Sequence, residues 1–349
     1  MRQLGHMNIL YIGRREGTSY HRAQALQRLG HDVTIVNLRR VLIEKTPGLS
    51  SFFLSRWIRH TGALFLERWF RKGIQSSGVW EQEFDLVHVD DIATVGPSLA
   101  RKLKERFGQL SCYVIDDPFG DRDGPKWRLF LEAVPEYDLI TVVREPNVQE
   151  AYKRGAKDVL RVYRSADEVV HAPLELSQQE KKKWCSKVTF VGTWFPDRGP
   201  FMKKLIERGV PLTLRGDNWE KADEWPVLEP YWAGPAVYGE NYTKALQCAD
   251  VCLGLLSKGN RDLHTQRSLE IPRIGSLLCA ERTGEHQHLY EEGREAVFWD
   301  DADECAELCF DLLSDNQSRE EIAKRGRQRC IEKGCLNEEV MRRIVDKMF

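Results

Sequence analysis

The stretch RDLHTQRSLEIPRIGSLLCAE, residues 261–281, crowds two acids, an imidazole and a guanidinium together at Asp262, His264, Arg267 and Glu270. An apolar run from Ile274 to Ala280 follows at once, with the β-branched and leucine content of a strand. Charged groups seldom gather so close to a buried strand without a reason. Arg267 carries a planar fork that can grip two phosphate oxygens. Glu270 can accept two hydrogen bonds from a ribose diol. Asp262 precedes it by eight residues, a span of about 12 Å if helical and more if looped. One acid can thus meet a sugar while the other meets the ribose of the same nucleotide. Thr265 suits a helix cap, and a helix N-terminus favours phosphate through its unpaired N–H groups and positive partial charge. The competing reading is a surface loop with ordinary charges.

Such residues need a scaffold, and the chain supplies a regular one. MNILYIG reads as a strand, REGTSYHRAQALQRLGHD as a turn and helix ending at Gly30, and VTIVNL as a second strand. The alternation continues through FDLVHVDD, PSLARKLKERFG, SCYVIDD, YDLITVV, NVQEAYKRGAK and DVLRVY. Strands alternating with helices predict a parallel, Rossmann-like sheet. HAPLELSQQEKKKWCSK, residues 171–187, is polar and reads as a linker. The same rhythm then restarts with the strands VTFVG, PLTLRG, VCLGLLS, SLLCAE and AVFWD, and it closes on a run of helices. The expected fold is α/β with two Rossmann-like domains, 1–170 and 188–349, the last helix packing back on the first. Ligands in such folds bind at the carboxyl ends of the strands, here in an interdomain cleft.

Bulk properties narrow the classes. A chain of 349 residues exceeds the size at which single cores stop growing, so two domains are the default. With 52 basic and 53 acidic residues the net charge is −1, which argues against a nucleic-acid partner held by bulk charge. No apolar run is long enough to span a bilayer. The opening MRQLGHMNILYIG lacks the apolar core of a signal peptide, and Met7 offers a second start after a lead-in at residues 1–6. The nine cysteines form no C-x-x-C pair. Cys248/Cys252 and Cys305/Cys309 lie four apart, but nothing nearby completes a metal site, so they read as buried small hydrophobes and no metal is expected. Scattered thiols in odd number suggest a reducing, cytoplasmic compartment. Residues 52–73, FFLSRWIRHTGALFLERWFRKG, mix aromatics with arginines at helical spacing. They read as helices packed over the sheet, or as an amphipathic face that meets a membrane or a bulky acceptor.

The first domain offers its own candidates. IGRREGTSYHR is a glycine-containing turn before a helix, but it is not G-x-G-x-x-G, so a nicotinamide dinucleotide is not expected. Gly17, Tyr20 and His21 suit an acceptor-side site. VHVDD and VIDDP end strands in paired acids at Asp90/Asp91 and Asp116/Asp117. These can deprotonate an acceptor hydroxyl, bind a divalent ion, or cap the next helices.

HTQRSLEIPRIGSLLCAERTGEHQHLYEEGREAVFW, with an acid-x7-acid element at Asp262 and Glu270, resembles the signature of GT-B-fold glycosyltransferases of the retaining family-4 type. Within that type it is most similar to the CgeB-like, spore-maturation group. TFVGTWFPDRGPFMKKL, LRGDNW and VIDDPFGDR resemble further blocks of the group, in the same order. The family's first acid is normally glutamate, where this chain has Asp262. YRSADEVVHAP resembles the element that leads to the family's linker: Asp167 and Pro173 match, and the usual Asn-Gly does not. The resemblance implies a nucleotide-sugar donor held mainly by the second domain, transfer with retention, and no metal. It places Arg198 and Arg267 at the donor diphosphate, with Asp262 as the third catalytic residue. It sets Gly192, Gly216, Asn218, Trp219, His264, Thr265 and Glu270 around the donor, and Val237 and Tyr238 beside the base. It also lets position 198 accept a point charge, so that lysine should rescue there better than at 267.

The expected activity is therefore a cytoplasmic, nucleotide-sugar-dependent glycosyltransferase needing no cofactor. Its acceptor is a small molecule, glycan or protein, with peripheral membrane contact through residues 52–73. The alternative is a non-catalytic nucleotide-sugar-binding protein or partner subunit, suggested by the aspartate at 262. A Rossmann-like sugar-nucleotide epimerase would need a Tyr-x-x-x-Lys element, which has no suitable place here.

Overall fold

The computed structural model describes residues 5–349, so residues 1–4 of the expected lead-in lie outside it. The chain divides into two compact units. The first contains a sheet of six parallel strands in the order β2-β1-β3-β4-β5-β6. These are β1 (Asn8–Ile12), β2 (Asp32–Val36), β3 (Leu86–Val89), β4 (Leu110–Val114), β5 (Leu139–Val142) and β6 (Val159–Arg161). The helices are α1 (Gly17–Arg28), α2 (Leu38–Lys45), α3 (Ser51–Thr61), α4 (Glu67–Gln75), α5 (Pro97–Phe107), α6 (Arg128–Ala133) and α7 (Glu145–Lys153).

Alternate side chains of a strand leave opposite faces, and a parallel sheet buries both. Leu10 and Ile12 of β1 enter one core with Val87, Val89, Cys112 and Val142, under α2 to α6. Ile9 and Tyr11 enter the other, with Ala23 and Leu26 of α1.

The second unit contains five parallel strands in the order β11-β10-β9-β7-β8. They are β7 (Ser186–Val191), β8 (Leu212–Arg215), β9 (Ala249–Gly254), β10 (Leu278–Glu281) and β11 (Val297–Trp299). Around them lie α8 (Gln178–Trp184), α9 (Arg198–Glu207), α10 (Trp225–Leu228), α11 (Glu240–Gln247), α12 (Arg267–Ile274), α13 (Gly284–Leu289), α14 (Ala302–Ser314) and α15 (Asn316–Glu332). Phe190, Leu214, Leu253, Cys279 and Trp299 meet Met202, Leu205 and Cys309 in its core.

The boundaries differ from those read in the sequence. The first unit runs to Tyr163 and takes in Lys258–Arg261 and the last helix, α16 (Asn337–Met348). Val340, Met341, Ile344 and Val345 of α16 fill the same core as α1. The second unit begins at Arg164, and residues 171–187 belong to it rather than to a free linker. Their polar composition serves an exposed helix: Ser177 caps α8 in a reciprocal pair with Glu180, and β7 already starts at Ser186.

Residues 41–82 form helices, as their spacing predicts. Leu54 and Ile58 of α3, and Phe70 and Ile74 of α4, point into the core. Phe52, Phe53, Trp57, Phe65 and Trp69 face solvent instead. Among the described residues no helix is long and apolar enough to cross a membrane.

Candidate donor site at the carboxyl edge of the second sheet

At the carboxyl edge of the second sheet, the exits of β7 and β8 come together backbone to backbone. The Gly192 amide donates to the Arg215 carbonyl at 2.8 Å. Gly216 sits at φ +145°, and a Cβ there would stand 2.0 Å from the Gly192 carbonyl oxygen. Glycine is therefore dictated at 216 by both conformation and space. Asn218 adopts the left-handed region at φ +68°, and its Oδ1 accepts from Lys221 Nζ at 2.5 Å. Asp217 Oδ1 accepts from the Ala236 amide at 3.0 Å, which fixes the loop bearing Val237 and Tyr238 beside this turn. Tyr238 is 77% exposed, a free ring face at the edge of the sheet. Trp219 corrects the reading that made it a donor contact. It is fully buried in the core, and its Nε1 donates to the Gly192 carbonyl at 3.0 Å. Its work is to hold the turn from beneath.

Two cations converge here. Arg198 opens α9 and is 6% exposed. Its Nη1 donates to the Thr193 carbonyl at 2.6 Å and its Nη2 to the Leu256 carbonyl at 3.0 Å, while Nε is buried with no partner among the described residues. Its guanidinium lies over the Phe190 and Phe195 rings, at 5.2 and 4.5 Å. Arg267 opens α12, and its Nε donates to the Val191 carbonyl. Neither arginine forms an ion pair with a carboxylate among the described residues. Burial, and then the neighbouring Arg267 charge, push the Arg198 guanidinium down to about 10. It stays charged at neutral pH, in a place with more positive charge than the protein balances. An anion there would relieve both the desolvation and the mutual repulsion.

The other residues of the opening stretch have distinct fates. Glu270, on α12, is 5% exposed, takes the Tyr242 hydroxyl at 2.5 Å, and lies 3.5 Å from His171 Nε2. Asp262 is buried and pairs with Arg164 Nη2 at 3.1 Å, an arginine the sequence reading passed over. His264 is not available to a donor. Its Nε2 accepts from the Arg164 amide at 2.9 Å, so Nδ1 carries the proton and donates to Glu285. Thr265 does not cap α12, whose first residue follows Gln266 with no side-chain cap. Its amide instead donates to Ser268 Oγ at 2.9 Å. Ser268 lies 2.7 Å from His286 Nε2, and His286 Nδ1 lies 2.6 Å from the Glu281 carbonyl. Burial pushes His286 down to about 4, so it is neutral and accepts the serine proton. Asp262, His264 and Thr265 thus brace the segment from which Arg267 and Glu270 project.

In the first unit, Gly17 opens α1 in the left-handed region at φ +59°, and Tyr20 and His21 follow it half-buried on the same helix. The strand-end acids are committed to cations. Asp90 Oδ2 accepts from Arg22 Nε at 2.7 Å and lies 2.7 Å from the Tyr11 hydroxyl. Burial works to raise the Asp90 carboxyl, but Arg22 and Tyr11 outweigh it and hold the group below the usual range. Asp91 takes both arms of Arg39 at 2.6 and 3.0 Å. Asp117 is opposed in the same way, by burial and by Arg261, with Asn147 adding a bond at 2.9 Å, and the net effect is again a lowered carboxyl. Asp116 faces Lys126 at 3.5 Å. None of these acids caps a helix through its side chain, and Asp90 and Asp117, held ionised by Arg22 and Arg261, are poor proton acceptors for a hydroxyl.

No disulfide joins any of the nine cysteines. The pair Cys305/Cys309 has a neighbour that spacing did not reveal. Cys279 of β10 brings three buried sulfurs within 4.8 Å of one another, in the apolar core.

Residues 198–346 match the family model described as glycosyl transferase-like. No curated protein matches the chain. Solved structures do, over almost its whole length. Sucrose-phosphate synthase from Thermosynechococcus elongatus is 13% identical, with a TM-score of 0.65 and 97% of each chain covered. Anabaena HepE in complex with UDP-glucose is 12% identical, with a TM-score of 0.66 and 98% and 99% covered. The chain has the GT-B fold. A protein assigned as a UDP-N-acetylglucosamine 2-epimerase from Listeria monocytogenes shares this GT-B architecture at 11% identity, a TM-score of 0.58, and 98% and 95% covered. The reaction must therefore be argued from the site rather than from the fold.

Proposed function

We propose that the protein is a glycosyltransferase that takes its sugar from a nucleotide-sugar donor bound at the carboxyl edge of the second sheet. The observation that carries this reading is the pair Arg198 and Arg267: two adjoining guanidiniums without a carboxylate partner among the described residues, at strand β7's exit and the start of α9 and α12. A diphosphate supplies the missing charge. As the sugar leaves, negative charge grows on that diphosphate, and cations fixed in place stabilise the transition state more than the ground state. The match of residues 198–346 to a glycosyl transferase-like family, and the UDP-glucose held by a protein of like fold, support the same reading.

In this reading Tyr238 and Val237 lie against the base, Gly192 and Gly216 let backbone approach the phosphates, and Glu270 meets the ribose. Arginines neutralise the diphosphate, so no metal is required. Retention and membership of the CgeB-like group rest on the motif resemblance, and a cytoplasmic location rests on the free thiols. The acceptor is a small molecule, glycan or protein.

A second reading, a donor-binding protein without transfer, is favoured by Asp262, whose carboxylate is occupied by Arg164. A thermal-shift screen against UDP-, GDP- and dTDP-sugars tests the first step, since a ligand at 100 times its dissociation constant adds about 2.7 kcal/mol. The hit is then assayed for hydrolysis or transfer with and without a chelator. Turnover that survives chelation supports the proposal. Binding without turnover supports the second reading, and no stabilisation by any nucleotide sugar contradicts both.

A further inference from the structure

The helices α2 to α4 carry an apolar groove of about 750 Å³ lined by Leu42, Leu49, Phe53, Trp57, Leu66 and Trp69. Helix α3 is two-sided. Leu54 and Ile58 are 1% exposed and face the core, whereas Phe53, Arg56, Trp57 and His60, at helical spacing, face the groove. Phe53 is 63% exposed, Trp57 49% and Phe52 68%. The turn after α3 presents Phe65, 74% exposed, from the left-handed region at φ +64°, a conformation bulky side chains avoid. Gly62 starts that turn at φ +63°, and a Cβ there would collide with the Pro125 carbonyl oxygen at 2.2 Å, so the turn is seated firmly on the body of the unit. Water gains nothing from exposed aromatic rings along one groove, and such a patch marks a binding surface.

The charges that α3 and α4 bring to it are mostly of one sign. Residues 52–73 hold Arg56, Arg59, Arg68, Arg71 and Lys72 against the single acid Glu67. Glu67 turns inward, accepting from the Leu99 amide at 2.9 Å, and Arg71 also turns inward to Ser98 at 2.7 Å. Arg68 and Lys72 flank the Trp69 ring at 5.2 and 5.6 Å. Arg56 and Arg59 have no ion-pair partner among the described residues. Aromatic rings with a cationic rim match the interface of an anionic bilayer, where rings sit at headgroup depth and long basic side chains reach the phosphates. A second copy of the chain would set one cationic face against another.

We propose that this face docks the protein on an anionic lipid surface, with α3 lying in the plane of the interface. The inference stands on the first unit alone and is independent of the donor site. Co-sedimentation tests it. The protein should pellet with vesicles of phosphatidylcholine and phosphatidylglycerol, and far less with phosphatidylcholine alone. The double variant Phe53→Ser/Trp57→Ser should lower partitioning at least about tenfold, since each ring contributes burial energy. Arg56→Glu/Arg59→Glu should do likewise, because each basic group near such a surface is worth roughly fivefold. The native chain gives a check that needs no folding of those variants: vesicles with brominated acyl chains should quench its fluorescence, and Trp57→Phe/Trp69→Phe should abolish most of that quenching. Three results would each overturn the proposal. They are no binding to anionic vesicles, equal binding by the variants, and a lipid-free dimer in sedimentation that Phe53→Ser/Trp57→Ser dissociates.

Discussion

Arg198 and Arg267 share the exit of a single strand: Arg267 Nε rests on the Val191 carbonyl, and Arg198 Nη1 reaches the Thr193 carbonyl at 2.6 Å. They are not equivalent. Arg198 also spans to the Leu256 carbonyl at 3.0 Å, so its fork ties the β7 and β9 exits together. This reverses the expectation that lysine would serve at 198 because a point charge suffices there. A single ammonium on a flexible stem cannot reproduce the two-armed bridge. Arg198→Lys should cost about 1–3 kcal/mol of stability, the range for leaving a buried acceptor unmet, and thermal melting will measure it. A melt equal to the parent's would mean the bridge is dispensable.

Glu270 and Tyr242 separate binding from packing. If Glu270 meets the ribose, Glu270→Ala weakens nucleotide binding by roughly 1.5–3 kcal/mol. That variant also strands the buried Tyr242 hydroxyl. Tyr242→Phe removes the same internal bond but keeps the carboxylate, and should hold the dissociation constant within about threefold. Calorimetry on both variants distinguishes them; equal losses would make Glu270 a structural residue.

The Arg22–Asp90 pair has side chains only 2% and 6% exposed. Breaking such a pair from one side costs about 3–5 kcal/mol, because a charge is left buried alone. Asp90→Asn should therefore unfold the first unit at lower denaturant, and Arg22→Met/Asp90→Leu should recover part of that loss. A general base would behave otherwise, with turnover lost and stability kept.

Two buried histidines give the protein an acid limit. Burial pushes both His88 and His286 down to about 4. Unfolded, each titrates near 6.5, so below that pH the unfolded chain binds protons that the folded one refuses. Stability is full above about pH 6.5, falls as pH drops, and levels off near pH 4. At pH 5 each histidine should have cost about 2 kcal/mol. Denaturant midpoints between pH 7 and 4.5 will show it, and His286→Asn should flatten the slope. A midpoint independent of pH would contradict the burial of these rings.

How much of this was legible in the sequence follows from the kind of order each feature needs. The strands read directly, because parallel strands buried on both faces appear as short unbroken apolar runs such as ILYI and LVHV. Gly216 was legible because its turn tolerates nothing larger. Trp219 was misread: a tryptophan after Gly-Asp-Asn looks like a loop contact, and only the Gly192 carbonyl shows that its ring belongs inside. Arg164 was invisible, since 98 positions separate it from Asp262 and no local pattern announces an ion pair. The same holds for Cys279 beside Cys305 and Cys309, which meet only when β10 is laid against α14.

The central claim is that Arg198 and Arg267 form the anion site of a nucleotide-sugar donor, and Arg267 is the sharper probe because its Nε is held by a backbone carbonyl rather than by a carboxylate. Isothermal titration of the parent and of Arg267→Ala with the nucleoside diphosphate of the stabilising donor tests it most directly. The account predicts a dissociation constant at least about tenfold weaker in the variant, the loss of one charge-assisted contact, in a chain that still melts cooperatively. Equal affinity in a folded Arg267→Ala protein would remove the diphosphate from this strand exit and contradict the account.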